Sequence, residues 1–342
     1  MSPTAPPLPP VAMEGGLVRH IPLAPHQLVA PITPQDDLFV LAQFGLPRFD
    51  LARWRLELTG LIERPCWLSF DDIRALPKRR LESFHQCAGF PQKPDVTTRR
   101  IGNVVWGGAD LRDLLHSVGI RPEARFLWSY GLDHGDFDSK PAGHYLKDLP
   151  LNRLARGDVL LAYEINGEPL TQAHGFPLRL VIPGYYGTNS VKWLYRLDLA
   201  DRRADGIFTT ILYNDPFPAA EGGATGDTRP VWAAPPEAAI VVPQPQARLA
   251  CRPVEIWGWA WAEAGVTHVE ISADQGESWF AAALQPRSQW SWQRFSAAWQ
   301  PPASGRFTLM ARATDTAGAT QPMGPARNTV HAVEVEVEVA TA

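Results

Sequence analysis

The chain has 342 residues, of which 45% are apolar and 20% charged, with a formal net charge of −4. This is the composition of a folded globular protein of about two domains at roughly 150 residues each, and it excludes a disordered or fibrous chain. The acidic balance gives no electrostatic footprint for nucleic acid or an anionic membrane, and no apolar run reaches the ~20 residues a spanning helix needs.

Residues 1–35 are rich in proline and predict an extended N-terminal arm. The opening Met1-Ser2-Pro3-Thr4-Ala5-Pro6 has neither the basic start nor the apolar core of a secretory signal, so cytoplasmic residence is expected. Order is expected from Asp36-Asp37-Leu38-Phe39-Val40 onward. Trp54, Leu56 and Leu58 alternate with Arg55, Glu57 and Thr59, which predicts a half-buried strand ending at Gly60. Ser69 followed by Asp72 reads as the cap of a short helix that stops at Pro77. Asp110 opens a second helix with Leu111, Leu114, Leu115 and Val118 on one face, and Gly119 closes it. Phe126–Tyr130 and Val159–Ile165 read as buried strands, and Asn166-Gly167 is a tight-hairpin signal. Strands mixed with short helices, without a βαβ repeat, predict an α+β domain over 36–215.

Residues 216–236, with Gly222-Gly223, Pro230, Pro235 and Pro236, read as a linker. From 237 to 342 every signal is β: Val269 and Ile271 before an Asp274-Gln275-Gly276 turn, Phe307, Leu309 and Ala311 in alternation, and a strict Val/Glu alternation from Val333 to Val339. Short strands with turns about every ten residues predict an immunoglobulin-like β-sandwich. Eight of the thirteen tryptophans (232, 257, 259, 261, 279, 290, 292 and 299) fall from residue 232 onward, an aromatic excess that suits both a core and an interface.

Three cysteines, Cys66, Cys87 and Cys251, are too few and too far apart for a disulfide framework, and no Cys-x-x-Cys pair is present for a zinc ribbon or a c-type haem. Cys87 lies in Phe84-His85-Gln86-Cys87-Ala88-Gly89, before Gly102 and a Trp106-Gly107-Gly108 turn. On these residues alone it is either a small buried hydrophobe or a ligating thiolate.

The longer series of motifs decides between them. Cys87-Ala88-Gly89 is followed by Trp106-Gly107-Gly108 and a leucine-rich helix, then Asn166-Gly167-Glu168-Pro169-Leu170 and His174-Gly175-Phe176-Pro177-Leu178-Arg179. Pro183-Gly184-Tyr185-Tyr186-Gly187 and Val191-Lys192-Trp193-Leu194 come next, with Asp274-Gln275-Gly276-Glu277-Ser278-Trp279, Trp290-Ser291-Trp292, Arg312-Ala313-Thr314-Asp315 and Gln321-Pro322 further on. In this order, over roughly 280 residues, the chain resembles the sulfite oxidase family of molybdenum enzymes. The resemblance implies a molybdopterin domain followed by a homodimerising second domain. It implies Cys87 as the metal ligand, a soft anionic donor suited to a high-valent metal that brings its own dithiolene and oxo ligands. It implies further that His174, Arg179, Gly187, Thr188, Ser190, Lys192 and Trp193 hold the pterin and its phosphate through charge-assisted bonds and close backbone approach. With no flavin, haem or GxGxxG motif in the sequence, electrons are expected to pass to a separate protein.

Departures from the family pattern bear on the substrate. Where sulfite oxidases place an anion-binding arginine before the Trp-x-Gly tryptophan, this chain has Val105, and Asn189 replaces an arginine after the Pro-Gly-x-x-Gly turn. An Arg-Asn-His stretch reads Ala42-Gln43-Phe44, and a catalytic tyrosine has no clear match around Ala204-Asp205-Gly206, although Tyr213 is nearby. Replacement basic groups are sought in Arg99, Arg100, His85 and the Gly131–Gly135 loop histidine, His134, with Arg100 and His134 as the catalytic candidates beside Cys87. The expected substrate is sulfite or another small oxyanion, a sulfoxide or a neutral compound. Two other classes stay open: a family member with a decayed site that binds molybdopterin without turnover, and a thiol hydrolase pairing Cys87 with His85 or His174.

Overall fold

A computed structural model describes residues 10–89, 100–216, 228–324 and 326–338. Strands dominate: the α-helices among the described residues are Phe70–Ala75, Leu111–Val118 and Ile207–Thr210, so the α+β character is carried by three short helices on a largely β framework. The chain divides into two compact units that are not consecutive in sequence. The first comprises 1–20, 40–81 and 105–232, and the second 21–39, 82–104 and 233–342.

In the first unit the local signals produce the predicted elements. The Ser69 hydroxyl accepts the Asp72 N–H while the Asp72 carboxylate accepts the Ser69 N–H, a reciprocal cap that starts the Phe70–Ala75 helix. Asp110 accepts the Arg112 N–H at 2.8 Å and starts Leu111–Val118, whose Leu111, Leu114, Leu115 and Val118 are all buried. Leu56–Gly60 lies in a five-stranded sheet ordered Lys140–Pro150, Phe126–Phe137, Leu194–Ala200, Leu56–Gly60, Cys66–Leu68, with the Leu194–Ala200 and Leu56–Gly60 pair parallel. Leu160–Ile165 pairs with residues 106–110 of the Ile101–Asp110 strand, with Arg179–Val181 and, across the Asn166-Gly167 turn, with Glu168–Pro169. One core unites these layers around Trp54, Leu58, Leu111, Leu127, Leu161 and Trp193.

Two expectations need correction here. Trp106-Gly107-Gly108 is not a turn but part of the Ile101–Asp110 strand. A Cβ on Gly108 would sit 2.1 Å from the Leu161 carbonyl oxygen, so the glycine serves close strand approach. His134 is not on a loop either: it belongs to the Phe126–Phe137 strand, whose hairpin turns later, at Asp138 and Ser139, both in the left-handed region. The expected N-terminal arm contains short strands, Ala12–Glu14 paired with Leu46–Arg48 and Val18–His20 paired with Val40–Ala42. The expected linker likewise contributes Thr228–Pro230, which pairs with Asn214–Pro216; residues 217–227 lie outside the described range.

The second unit holds two sheets over one core. The first runs Glu237–Val242, Val254–Trp261, Gln293–Trp299, Ala283–Leu284, and the other Arg248–Ala250, Ala332–Glu338, Gly305–Asp315, Val266–Ser272, Phe280–Ala281. Ile256 and Phe295 of the one meet Ile271, Leu309 and Val335 of the other. Strict alternation in Ala332–Glu338 buries the valines and exposes the glutamates, as the pattern predicts. The aromatic excess has an internal use. The indole N–H groups of Trp259 and Trp292, rings stacked at 4.6 Å, donate to the carbonyls of Leu28 and Pro31, and so fix an extended N-terminal segment in this unit.

Candidate functional site

Cys87 follows directly on the Lys78–Gln86 strand and lies in the second unit. Its N–H donates to the Arg100 carbonyl at 2.9 Å, closing the hairpin to the Ile101–Asp110 strand, so the backbones of these two predicted site residues are brought together. The thiol is 9% exposed, and its sulfur accepts the Gly89 N–H at 3.3 Å. Gly89 has φ +63°, a left-handed turn that favours glycine and bends the chain back toward the sulfur. The backbone N–H aimed at the sulfur fixes its direction, which suits a ligating cysteine. Cys66 and Cys251 are free and half-buried, with burial raising the Cys66 pKa. His85 is buried on the strand, with its ring stacked at 5.5 Å and 9° on Phe39. Arg99 lies outside the described residues.

The remaining predicted residues lie in the first unit, most of them in one cluster. Arg179 is buried on the Arg179–Val181 strand, where its guanidinium donates to the carbonyls of His174 at 3.0 Å and Ser190 at 3.2 Å and lies 4.7 Å from the Trp106 ring centroid. Burial pulls its pKa down to about 9. His174 is buried with Nδ1 2.8 Å from the Thr171 hydroxyl. The Ser190 hydroxyl accepts the Ile182 N–H, and Thr188 is joined to the Tyr145 hydroxyl at 2.7 Å. Gly187 begins the short 3-10 turn Gly187–Asn189 that presents Thr188.

Lys192 donates to the Leu41 and Ala173 carbonyls at 2.9 and 3.3 Å. Its charge also acts on the buried Asp133 carboxyl, whose pKa burial nonetheless raises to about 7. Trp193 has φ +48°, an unusual backbone state for a bulky residue, and is held there by complete burial and an indole bond to the Gln172 carbonyl at 2.7 Å. Gly175 permits the packing: a Cβ there would stand 3.0 Å from Lys192 Cβ and 3.2 Å from Arg179 Cβ. His134 is apart from these contacts. Its Nδ1 is 3.0 Å from the Leu132 carbonyl and its ring 5.1 Å from that of His144, directly opposite on the neighbouring strand.

The residues before and between the motifs explain the departures. Val105 is half-buried and braced to Asn166, donating to Oδ1 at 2.9 Å and accepting the Asn166 N–H at 2.7 Å. Asn189 spends its amide on the carbonyls of Tyr186 and Val231 at 3.1 and 3.0 Å. Sequence reading missed Trp106 as the ring beneath Arg179, and it missed Tyr145, Lys147 and Glu237. Lys147 is buried, its ammonium donating to the Phe208 carbonyl at 2.8 Å, and burial lowers its pKa to about 8. An isolated polar residue in a strand carries no local signal of this kind.

Comparison with known proteins identifies the family of the chain. Residues 43–208 match the oxidoreductase molybdopterin binding domain, and residues 228–336 match the Mo-co oxidoreductase dimerisation domain. The chain is 33% identical to a sulfite oxidase of Arabidopsis thaliana over 86% of its own length and 84% of the relative's. It is 30% identical to the mitochondrial sulfite oxidase of Drosophila melanogaster, of which it spans 59%. The crystal structure of the sulfane dehydrogenase SoxCD from Paracoccus pantotrophus superposes with a TM-score of 0.78 at 28% identity, covering 92% of this chain and 85% of that one. No helix among the described residues is long and apolar enough to cross a membrane. With its two domain matches in order and a third of its residues shared with a plant sulfite oxidase, the chain belongs to the sulfite oxidase family of molybdopterin-dependent oxidoreductases.

Proposed function

We propose that the protein performs two-electron oxygen-atom transfer at a molybdenum centre to which Cys87 is the protein's ligand. The observation that carries this reading is the buried Cys87 sulfur, turned to accept the Gly89 N–H within the molybdopterin-domain match. Among the described residues no group of three or more His, Cys, Asp or Glu side chains could hold a metal ion alone. That donor set fits a metal that arrives with its own sulfur ligands and takes one thiolate from the chain. When bound, the cofactor supplies the redox chemistry; the chain positions it and excludes water.

His174, Arg179, Gly187, Thr188, Ser190, Lys192 and Trp193 are proposed to hold the pterin and its phosphate. The buried Arg179 guanidinium, stacked over Trp106 and bonded to the His174 and Ser190 carbonyls, supports this, because a planar guanidinium makes charge-assisted bonds to phosphate. Arg100 and His134 are the proposed substrate contacts. The proposed substrate is sulfite, another small oxyanion or a sulfoxide; Val105 offers an isopropyl group where sulfite enzymes offer a guanidinium, so oxyanion binding at this position is weakened. Residues 237–342 are proposed as an immunoglobulin-like sandwich that forms the homodimer, with a separate protein taking the electrons and the cytoplasm as the compartment.

The test is Cys87→Ser. The variant is expected to fold, to lose turnover, and to lose one sulfur neighbour from the molybdenum X-ray absorption spectrum, since a neutral hydroxyl cannot replace thiolate donation. An unchanged spectrum with full activity would reject Cys87 as the ligand. Molybdenum bound by the unaltered protein without turnover of any sulfur oxyanion, sulfoxide or sulfane would favour the non-catalytic binding reading.

A further inference from the structure

The amide of the side chain next to Cys87 is held on both sides by one C-terminal sheet of its own unit. Gln86 is 3% exposed; its amide nitrogen donates to Glu237 Oε2 at 2.6 Å, and its amide oxygen accepts the Trp261 indole N–H at 2.9 Å. Glu237 and Trp261 are each 1% exposed and sit opposite one another on the paired strands Glu237–Val242 and Val254–Trp261. One residue past the cysteine, the Ala88 carbonyl accepts a guanidinium N–H of Arg327 at 2.6 Å. Upstream, Phe84 donates to the Trp290 carbonyl and Trp290 to the Glu82 carbonyl, at 3.0 and 3.1 Å, so the strand leading to Cys87 is paired to the same region.

We infer that Glu237, Trp261 and Arg327, all within the dimerisation-domain match, are positioning residues that clamp the Gln86-Cys87-Ala88 turn and fix the direction of the Cys87 sulfur. Gln86 and Ala88 are tied down on either side of the cysteine, and the Cys87 N–H is bonded to Arg100, so the turn has little freedom to swing. Burial of a carboxyl, an amide and an indole together is costly unless each is bonded, which gives the network a single low-energy arrangement. Glu237 Oε2 accepts from Gln86 while its other oxygen, Oε1, lies 3.9 Å from His331 Nε2, and burial raises the Glu237 pKa to about 8. The second domain would thus shape the metal site as well as the assembly. This inference rests on the proposal that Cys87 is the metal ligand, but its test does not.

The test uses full-length protein prepared without cofactor, with Cys66→Ser and Cys251→Ser so that iodoacetamide reads Cys87 alone. Glu237→Leu is expected to raise the alkylation rate at least about tenfold through local opening of the turn, and Trp261→Phe about threefold, with Glu237→Gln at the parental rate because it keeps the acceptor. Thermal midpoints identify any variant that opens globally, and Trp261→Phe, which deletes only the donor and part of a ring, serves if Glu237→Leu does not fold. Parental rates in both Glu237→Leu and Trp261→Phe would overturn the clamp, as would equal acceleration by Glu237→Gln and Glu237→Leu. In cofactor-loaded protein, Glu237→Leu is expected to broaden the molybdenum–sulfur distances while Glu237→Gln leaves them unchanged. Failure of ligation itself appears separately, as an unchanged spectrum in Cys87→Ser.

Discussion

Val105 shows how one residue can separate a scaffold from its substrate. Its backbone is bonded on both sides to Asn166, and in the proposed reading its side chain offers a substrate an isopropyl group where a guanidinium would offer charge and paired donors. Sulfite is therefore expected to be turned over with a Michaelis constant at least about tenfold above that of arginine-bearing relatives, equivalent to about 1.4 kcal/mol of lost binding. Val105→Arg should lower it; steady-state kinetics of the two proteins decide, and micromolar sulfite affinity in the parent would locate the anion clamp elsewhere. Glu237 carries a second residue-level prediction. Its folded pKa is raised by burial from 4.5 to about 8, with His331 Nε2 3.9 Å from Oε1 as the one ionisable side chain paired with it among the described residues, so the folded state holds a proton that the unfolded state releases between those limits. Stability from this group is complete below pH 4.5 and is lost as pH rises toward 8, by several kcal/mol in order of magnitude. Glu237→Gln should remove this slope, matching the parent at pH 5 and exceeding it at pH 8 in urea denaturation.

At the scale of elements, ends and turns were the most legible features when their chemistry was local. Asp110 both caps Leu111–Val118 and pairs with Arg79, while Gly119 closes the helix at φ +74°. Asp110→Ala is expected to cost about 2 kcal/mol and Asp110→Asn about half that, because asparagine keeps the cap and loses only the ion pair. Equal denaturation midpoints for the two variants would show that the ion pair, and not the cap, supplies the stability. The Asn166-Gly167 hairpin was legible for the same reason, since both residues take positive φ. Asp138-Ser139 makes a comparable turn without glycine, which is why the strand through His134 read as a loop.

At the scale of the whole molecule, the grouping of 82–104 with 233–342 changes what removal of the C-terminal domain should do. Sedimentation of the full chain at micromolar concentration is expected to give a dimer, in keeping with the dimerisation-domain match. Truncation after Thr228 would remove Glu237, Trp261, Trp290 and Arg327, the partners of residues 82–88. The truncated chain should accordingly bind a hydrophobic dye and aggregate through its uncovered strand, not persist as a clean monomer. A soluble, cooperatively unfolding 1–228 fragment would contradict that expectation.

The sequence by itself determined the elements whose cause is short-range: the Ser69 and Asp110 caps, the Asn166-Gly167 turn, the Val/Glu alternation of the last strand, and the motif order that marks the family. These follow from backbone geometry and side-chain period within a few residues. It also marked Cys87 as the cysteine to examine, through its small-residue neighbours. Only the tertiary structure decided that His85 is stacked away on Phe39, that Gly108 serves close strand approach, and that Gln86 is gripped by Glu237, 151 residues away along the chain. A hydrogen bond between distant strands leaves no periodicity in either one, because the fold pairs them only after the intervening chain has formed its own sheets.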